Sequence, residues 1–303
     1  MAFLEQANSG INKPSSYYLT LVLVLLAYLV LGQLPLLIDL YMHAGGEVLL
    51  QGGTYAAMRD ALGANRFFVH LLLPFVFSFF MLLLAIRVVH KRPVLSVFTS
   101  RSRFDWKRYF FSILVFGSIV SLTFLFTGLG NNKLHWNFKG SSFFGLFLLS
   151  SLLIPFQTAC EDVLFRGYLL QGVAKATKKP WLAVLLSALL FGLLHGANPE
   201  VQVLGPIVLI YYILTGLFLT LLTLWDDGLE LSMGYHMINN WFAAVIVTNN
   251  WQAFQTDALY LDTTPPNFGW ENLITLVVIQ PLLLALFYRK YRWYGLVEKL
   301  NRL

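Results

Sequence analysis

Long apolar runs recur along this chain, and each is about as long as a helix that crosses a lipid bilayer. A bilayer core of about 30 Å requires roughly 20 apolar residues in a helix. About eight segments meet that requirement: Tyr18–Leu40, Phe67–Val89, Tyr109–Leu129, Ser142–Leu170, Pro180–Ala197, Val203–Trp225, Leu229–Thr248 and Asn272–Tyr288. Backbone amides in lipid have no water to bond, so the runs are predicted to be helices. The expected fold is an all-α polytopic membrane protein.

The composition excludes several other classes of protein. Hydrophobic residues make up 57% of the chain and charged residues only 12%, whereas a soluble domain carries roughly a quarter charged residues. The single cysteine excludes a secreted domain held by disulfides. The net charge of +6 does not indicate nucleic-acid binding, because the basic residues lie in short loops between apolar runs. With no internal repeat evident, one transmembrane domain is predicted over residues 1–303, with the lipid bilayer as its surroundings.

The basic residues predict the orientation of the chain, since cytoplasmic loops are enriched in lysine and arginine. An N-in, C-in arrangement places 16 of the 21 basic residues on the cytoplasmic side: Lys13, Arg87, Lys91, Arg92, Arg101, Arg103, Lys107, Arg108, Lys175, Lys178, Lys179, Arg289, Lys290, Arg292, Lys299 and Arg302. The first span lacks the features of a cleaved signal peptide and is expected to stay as an anchor. The absence of long soluble domains and of a targeting peptide favours a bacterial inner membrane.

Two connecting segments are long enough to have structure of their own. Tyr41–Arg66 contains glycines and mixes polar with apolar residues, and an interfacial helix is expected within it. Asn249–Trp270 contains two consecutive prolines and is predicted to be an external loop.

The first break in the apolar pattern lies in the fourth span, at Glu161, Asp162 and Arg166. An ionisable residue within a span costs several kcal/mol and therefore indicates function by default. Asp162 and Arg166 are four residues apart and can pair on one helix face, either for function or to lock helix packing. Glu161 points about 100° away. An unpaired carboxylate in an apolar site holds a proton more tightly than in water, which suits a general base. The adjacent Cys160 is not expected to be catalytic, because apolar surroundings disfavour the thiolate.

Two further polar sites lie in later spans. His195 follows Gly192 at the end of the fifth span, and a lone histidine in such a helix is more often part of the core. His236 and Asn240 in the seventh span are four residues apart, so they can present an imidazole and a carboxamide to one point. The alternative for this pair is a hydrogen bond between helices, worth only about 0.6–2 kcal/mol in membranes.

Taken together, these side chains fit a buried hydrolytic site. A carboxylate and an imidazole can polarise water, while a second imidazole and a carboxamide can stabilise an oxyanion. The same set is consistent with a zinc site in which Glu161, His195 and His236 are ligands and one position stays open for water. The short H-E-x-x-H zinc motif is missing from the chain. No cofactor is therefore expected, with zinc as the alternative.

A helical rise of 1.5 Å per residue places these groups at different depths. Glu161 and His195 would each lie roughly 21–22 Å from the cytoplasmic end of their spans. His236 would lie only about 9 Å from the start of its own span. Either the seventh span begins deeper in the membrane, or the fourth span is broken near Pro155.

The three motifs resemble those of the CAAX protease and bacteriocin-processing family of intramembrane endopeptidases, known as CPBP or Abi. Members of that family carry Glu-Glu-x-x-x-Arg, Phe-x-x-x-His and His-x-x-x-Asn on successive helices. The matching positions here are Glu161–Arg166, Phe191–His195 and His236–Asn240. The resemblance covers a predicted catalytic core over residues 142–248 and is carried by the order and spacing of the motifs.

The resemblance implies a glutamate-type endopeptidase and leaves a role for zinc open. Glu161 and His195 would activate the attacking water, and His236 and Asn240 would form the oxyanion hole. The implied substrate is a peptide or protein in the membrane, either lipidated and CAAX-like or carrying a leader peptide.

Asp162 and Arg166 would orient Glu161 in this scheme. Position 162 departs from the family, which usually has Glu there, and the shorter side chain motivates an alternative hypothesis. The chain would then be a non-catalytic member of the fold that acts in immunity or as a scaffold. A proton-coupled transporter is a third hypothesis, because buried carboxylates and histidines are also typical of carriers.

Overall fold

The apolar runs form membrane-length helices in the computed structural model of the chain, which describes residues 2–44, 48, 54–128 and 130–301. Within these ranges, seven helical segments are long and apolar enough to cross a membrane: Pro14–His43, Ala64–Val88, Trp106–Gly128, Gly140–Thr177, Pro180–Ala197, Ile207–Asp226 and Asn272–Tyr291. The protein is therefore an integral multi-pass membrane protein, and the predicted all-α polytopic fold is confirmed.

The helices have the following bounds in chain order: α1 (Pro14–Leu26), α2 (Leu34–Ala44), α3 (Tyr55–Leu62), α4 (Ala64–Val88), α5 (Trp106–Gly128), α6 (Gly140–Asp162), α7 (Leu170–Thr177), α8 (Pro180–Leu194), α9 (Pro199–Leu204), α10 (Ile207–Asp226), α11 (Glu230–Val245), α12 (Trp270–Ile274), α13 (Gln280–Tyr291) and α14 (Leu296–Asn301). Short π-helical segments extend α1, join α6 to α7 and join α12 to α13: Ala27–Leu31, Val163–Leu169 and Thr275–Ile279. Short 3₁₀ segments cover Leu4–Ser9, Val94–Val97 and His195–Ala197.

The predicted seventh span, Leu229–Thr248, forms a shorter helix than expected. Its helix α11 has 16 residues, which corresponds to about 24 Å and is less than a full bilayer core. The last residues of the predicted span, Val247–Thr248, form a short strand instead. This segment is consequently not among the seven membrane-length helices.

The predicted external loop Asn249–Trp270 contains strand β3 (Tyr260–Asp262). This strand pairs antiparallel with β1 (Leu134–Trp136) and parallel with β2 (Val247–Thr248), so β3 lies between the other two. The small sheet thereby links the loops that follow α5 and α11. The other long connection is the predicted interfacial segment Tyr41–Arg66, which contains helix α3. Residues 45–47 and 49–53 of this segment lie outside the described residues.

The helices that carry the polar motifs pack around α6. Helix α6 contacts α4 and α11, α11 also packs along α5, and α8 packs along α10. The chain runs helically from Gly140 to Thr177 and passes through Pro155 without a break. The predicted alternative of a break at Pro155 is therefore wrong. Glu230, the first residue of α11, is fully buried within the protein and accepts hydrogen bonds from Arg101 and Asp105 of the loop before α5. The other alternative, a deeper start of this span, stays a prediction.

The loop between α4 and α5 packs against the π segment that follows α6. His90 Nε2 lies 2.8 Å from the Tyr168 hydroxyl, and Arg92 Nε donates to Ser96 Oγ at 2.6 Å. Arg92 also donates to the side-chain oxygen of Gln171 and is only 1% exposed. Burial lowers the pKa of Arg92 to about 10. This basic loop is thus anchored to the helix that carries the acidic motif.

Gly192 lies at the contact between α8 and α10, and we predict that Gly192→Ala destabilises the protein. An added Cβ would lie 2.7 Å from the backbone nitrogen of Ile213, and inserting atoms into packed regions typically costs about 1–3 kcal/mol. The melting temperature in detergent should fall. Gly196→Ala is the matched control, because a Cβ there has no neighbour within 4 Å among the described residues. Equal melting temperatures for the two variants would contradict the prediction.

Candidate active site

Helix α6 and the π segment after it place the acidic motif inside the protein. Glu161 is 9% exposed, and Asp162 and Arg166 are completely buried. The π segment begins directly after Asp162, and such segments are frequent at functional sites because they shift the side chains that follow. Arg166 lies within this π segment, and Glu161 and Asp162 are the two residues directly before it.

Asp162 and Arg166 form the ion pair that their spacing predicts. Arg166 Nη1 donates to Asp162 Oδ1 at 2.9 Å. The second carboxylate oxygen of Asp162 lies 3.3 Å from His236 Nδ1 on α11. The Arg166 guanidinium also lies over the Phe191 ring of α8, 3.9 Å from its centre. One buried pair thus connects α6 with both other motif helices.

The two oxygens of Glu161 have different surroundings. Its Oε1 accepts a hydrogen bond of 2.6 Å from Gln157 Nε2, one helical turn earlier. Its Oε2 is buried, has no hydrogen-bond partner among the described residues, and lies 3.6 Å from His236 Nε2. Oε2 is consequently the oxygen of Glu161 that is free to accept a proton.

His236 lies between the two carboxylates, with Nδ1 toward Asp162 and Nε2 toward Glu161. Asn240 lies one turn later on α11. The distance between its Nδ2 and His236 Nε2 is 3.4 Å. Asn240 Nδ2 also donates to Gln157 Oε1 at 3.0 Å. The predicted convergence of the imidazole and the carboxamide on the face of Glu161 is thus present in the structure.

His195 lies at the edge of this group, in the 3₁₀ turn that ends α8. Its Nδ1 donates to the Phe191 carbonyl oxygen at 2.8 Å, which leaves the lone pair on Nε2. Glu161 and His236 are both close enough to act on the His195 ring electrostatically. Within the described part of the chain, however, no direct hydrogen bond joins His195 to Glu161.

Three polar residues around the site were missed by the sequence interpretation. Gln157 contacts both Glu161 and Asn240, and its position four residues before Glu161 is the signal that could have revealed it. Tyr212 on α10 stacks on His195, with ring centres 4.1 Å apart. Its hydroxyl donates to buried Glu200. Neither Tyr212 nor Glu200 has a sequence spacing that relates it to His195.

The alternative zinc site is not assembled in this structure. Among the described residues, no group of three or more His, Cys, Asp or Glu side chains is arranged to hold a metal ion. Glu161 and His236 face each other, and His195 donates its Nδ1–H to a backbone carbonyl and stacks on Tyr212. Among the described residues, the three proposed ligands do not form a group that could hold the ion.

Comparison with known proteins identifies the same part of the chain. Residues 140–242 match the family described as type II CAAX prenyl endopeptidase Rce1-like. This segment is about a third of the chain and contains all three motifs. The match confirms the resemblance to the CAAX protease family.

One curated relative is the uncharacterized protein YyaK of Bacillus subtilis (strain 168), which is 31% identical to this chain over 197 residues. The similar region covers 64% of this chain and 66% of YyaK, so the chain spans just under two thirds of that relative. No solved structure matches the chain.

The contacts of the adjacent carboxylates predict that replacing each by its amide affects stability to a different extent. Asp162→Asn leaves the Arg166 charge buried without its counter-ion, and removing one partner of a buried pair typically costs about 3–5 kcal/mol. Glu161→Gln removes a carboxylate that has no arginine or lysine partner, so the fold should tolerate it. Melting temperatures in detergent should therefore fall strongly for Asp162→Asn and change little for Glu161→Gln. A loss of the same size in both variants would contradict this assignment.

Proposed function

Because residues 140–242 are Rce1-like, we propose that this protein is a CAAX-type intramembrane endopeptidase. It would hydrolyse a peptide bond in a membrane-associated substrate, either lipidated and CAAX-like or carrying a leader peptide. The observation that carries the proposal is the buried Glu161 carboxylate, which has one oxygen held by Gln157 and the other free beside His236. A bacterial inner membrane is the proposed location.

Glu161 is the general base in the proposed reaction. Its Oε2 takes a proton from water as the water oxygen attacks the carbonyl carbon of the substrate. His195 Nε2 carries a lone pair and would accept a hydrogen bond from the same water, which helps to orient it. Among the described residues no direct hydrogen bond joins His195 to Glu161, so the shared water would bridge them.

The oxyanion of the tetrahedral intermediate would be stabilised from α11. Asn240 Nδ2 and His236 Nε2 lie 3.4 Å apart, so an oxygen between them can accept a hydrogen bond from each when His236 is protonated. Asp162 would hold the ring of His236 in place through Nδ1. The proton on Glu161 then passes to the amide nitrogen of the leaving peptide as the C–N bond breaks.

Asp162 would act by orienting its neighbours, although the family usually has Glu at this position. The shorter side chain still reaches Arg166 at 2.9 Å and His236 at 3.3 Å. This geometry supports the catalytic hypothesis over the non-catalytic one, because the substitution leaves both contacts in place.

The first test compares the wild type with Glu161→Gln and His195→Ala in detergent, using quenched fluorescent hydrophobic and lipidated peptides. The wild type should cleave at least one peptide, and loss of a general base should reduce the rate by about 10²–10⁴-fold. A chelator should leave the rate unchanged. Folding of each variant is checked by its melting temperature.

Equal cleavage by the wild type and Glu161→Gln would contradict the assignment of the base. If all three folded proteins leave every peptide intact, the non-catalytic hypothesis replaces the proposed one. Substrate-dependent proton flux in proteoliposomes would instead support the transporter hypothesis. Loss of cleavage in the chelator would indicate a metal-dependent reaction.

A further inference from the structure

Three hydrogen bonds in the site form a chain that runs in one direction. Asn239 Nδ2 donates to Asn240 Oδ1 at 3.1 Å, and Asn240 Nδ2 donates to Gln157 Oε1 at 3.0 Å. Gln157 Nε2 then donates to Glu161 Oε1 at 2.6 Å. The chain crosses from α11 to α6 and ends on the carboxylate.

The carboxylate determines this direction. An ionised Glu161 can only accept hydrogen bonds, so Gln157 must turn its NH₂ group toward it and its oxygen toward Asn240. Asn240 must in turn present NH₂ to Gln157 and its oxygen to Asn239. Turning over either amide would place oxygen against oxygen at one end and NH₂ against NH₂ at the other.

We propose that Gln157 and Asn239 are positioning residues, which hold Glu161 with Oε2 free and hold Asn240 with its NH₂ group toward the substrate. This inference rests on the proposed function and adds two residues that the three motifs do not specify. Gln157 is the central member, because it contacts both the base and the oxyanion donor.

The orientation of Asn240 matters for the reaction and not only for stability. One of its two N–H bonds is used by Gln157, and the other is on the side of His236 Nε2, 3.4 Å away, where the oxyanion would form. If the amide turned over, its carbonyl oxygen would face the developing negative charge. For Glu161, the bond from Gln157 fixes Oε1 and leaves Oε2 to take the proton.

Gln280 on α13 provides a matched control. It is 3% exposed, compared with 4% for Gln157. Its Nε2 donates to Thr215 Oγ1 and to the Tyr235 hydroxyl at 3.1 and 3.3 Å. Gln280→Met therefore removes a buried amide with two hydrogen bonds, as Gln157→Met does, but leaves the contacts of Glu161 intact.

The experiment measures kcat, KM and the pH dependence of cleavage for the wild type, Gln157→Met, Gln280→Met and Asn239→Ala. Gln157→Met should lower kcat by about 10–100-fold with little change in KM, because the bonds at stake orient the reacting groups. The acid-side midpoint of its pH–kcat profile should move up by about one pH unit, because the ionised base loses a donor. Asn239→Ala should lower kcat without that shift, and Gln280→Met should change neither quantity.

Infrared difference spectroscopy follows the same carboxyl group without a substrate. The titrating band of Glu161 is identified by its loss in Glu161→Gln, and its midpoint should move up in Gln157→Met only. The titratable groups that act on Glu161 from the packed helices are unchanged in both methionine variants: Tyr28, Cys160, Arg166, His195 and His236.

The two proposals fail in different ways. If the folded wild type cleaves no peptide, the proposed function is wrong; if Glu161→Gln cleaves peptides as well as the wild type, the assignment of Glu161 as the base is wrong. In both cases the infrared midpoint still tests the positioning of Glu161. If Glu161→Gln is inactive but Gln157→Met keeps the wild-type kcat, pH profile and infrared midpoint, the positioning role is wrong and the proposed function stands. Equal changes in Gln157→Met and Gln280→Met would also overturn it, because they would reflect a general loss of stability.

Discussion

The arrangement of the candidate site depends on the buried ion pair between Asp162 and Arg166. Both side chains are fully buried, so each requires the other to compensate its charge in an apolar environment. The pair also contacts His236 through the second oxygen of Asp162 and Phe191 through the guanidinium face. This single ion pair therefore contacts side chains on two other helices, α11 and α8, and holds them in position.

Two adjacent carboxylates can have different functions here because consecutive side chains leave a helix about 100° apart. Asp162 faces its arginine, whereas Glu161 faces Gln157 and His236. Glu161 thus has a buried position without a direct arginine or lysine partner, and its one strong contact is the hydrogen bond from Gln157. That combination suits a group that must first be ionised and then accept a proton.

Close packing of small residues brings the motif helices together. Gly192 on α8 allows Ile213 of α10 to approach, and Gly234 on α11 lies against the backbone oxygen of Tyr109 on α5. Each glycine lies within one turn of a motif histidine, so the backbones that carry His195 and His236 are held by their neighbours. In a membrane, where lipid is as apolar as the helix surface, such close contacts contribute much of the packing energy.

The sequence by itself determined the membrane class, most of the spans, the family resemblance and the Asp162–Arg166 pair, because hydropathy and a spacing of four residues are local properties. Only the tertiary structure decided that Gln157 joins Glu161 to Asn240, that Tyr212 stacks on His195, and that, among the described residues, the proposed zinc ligands do not form a group that could hold the ion. These contacts depend on the rotation and depth of each helix relative to its neighbours. Helices that are apolar on every face carry little sequence periodicity from which rotation or depth can be read.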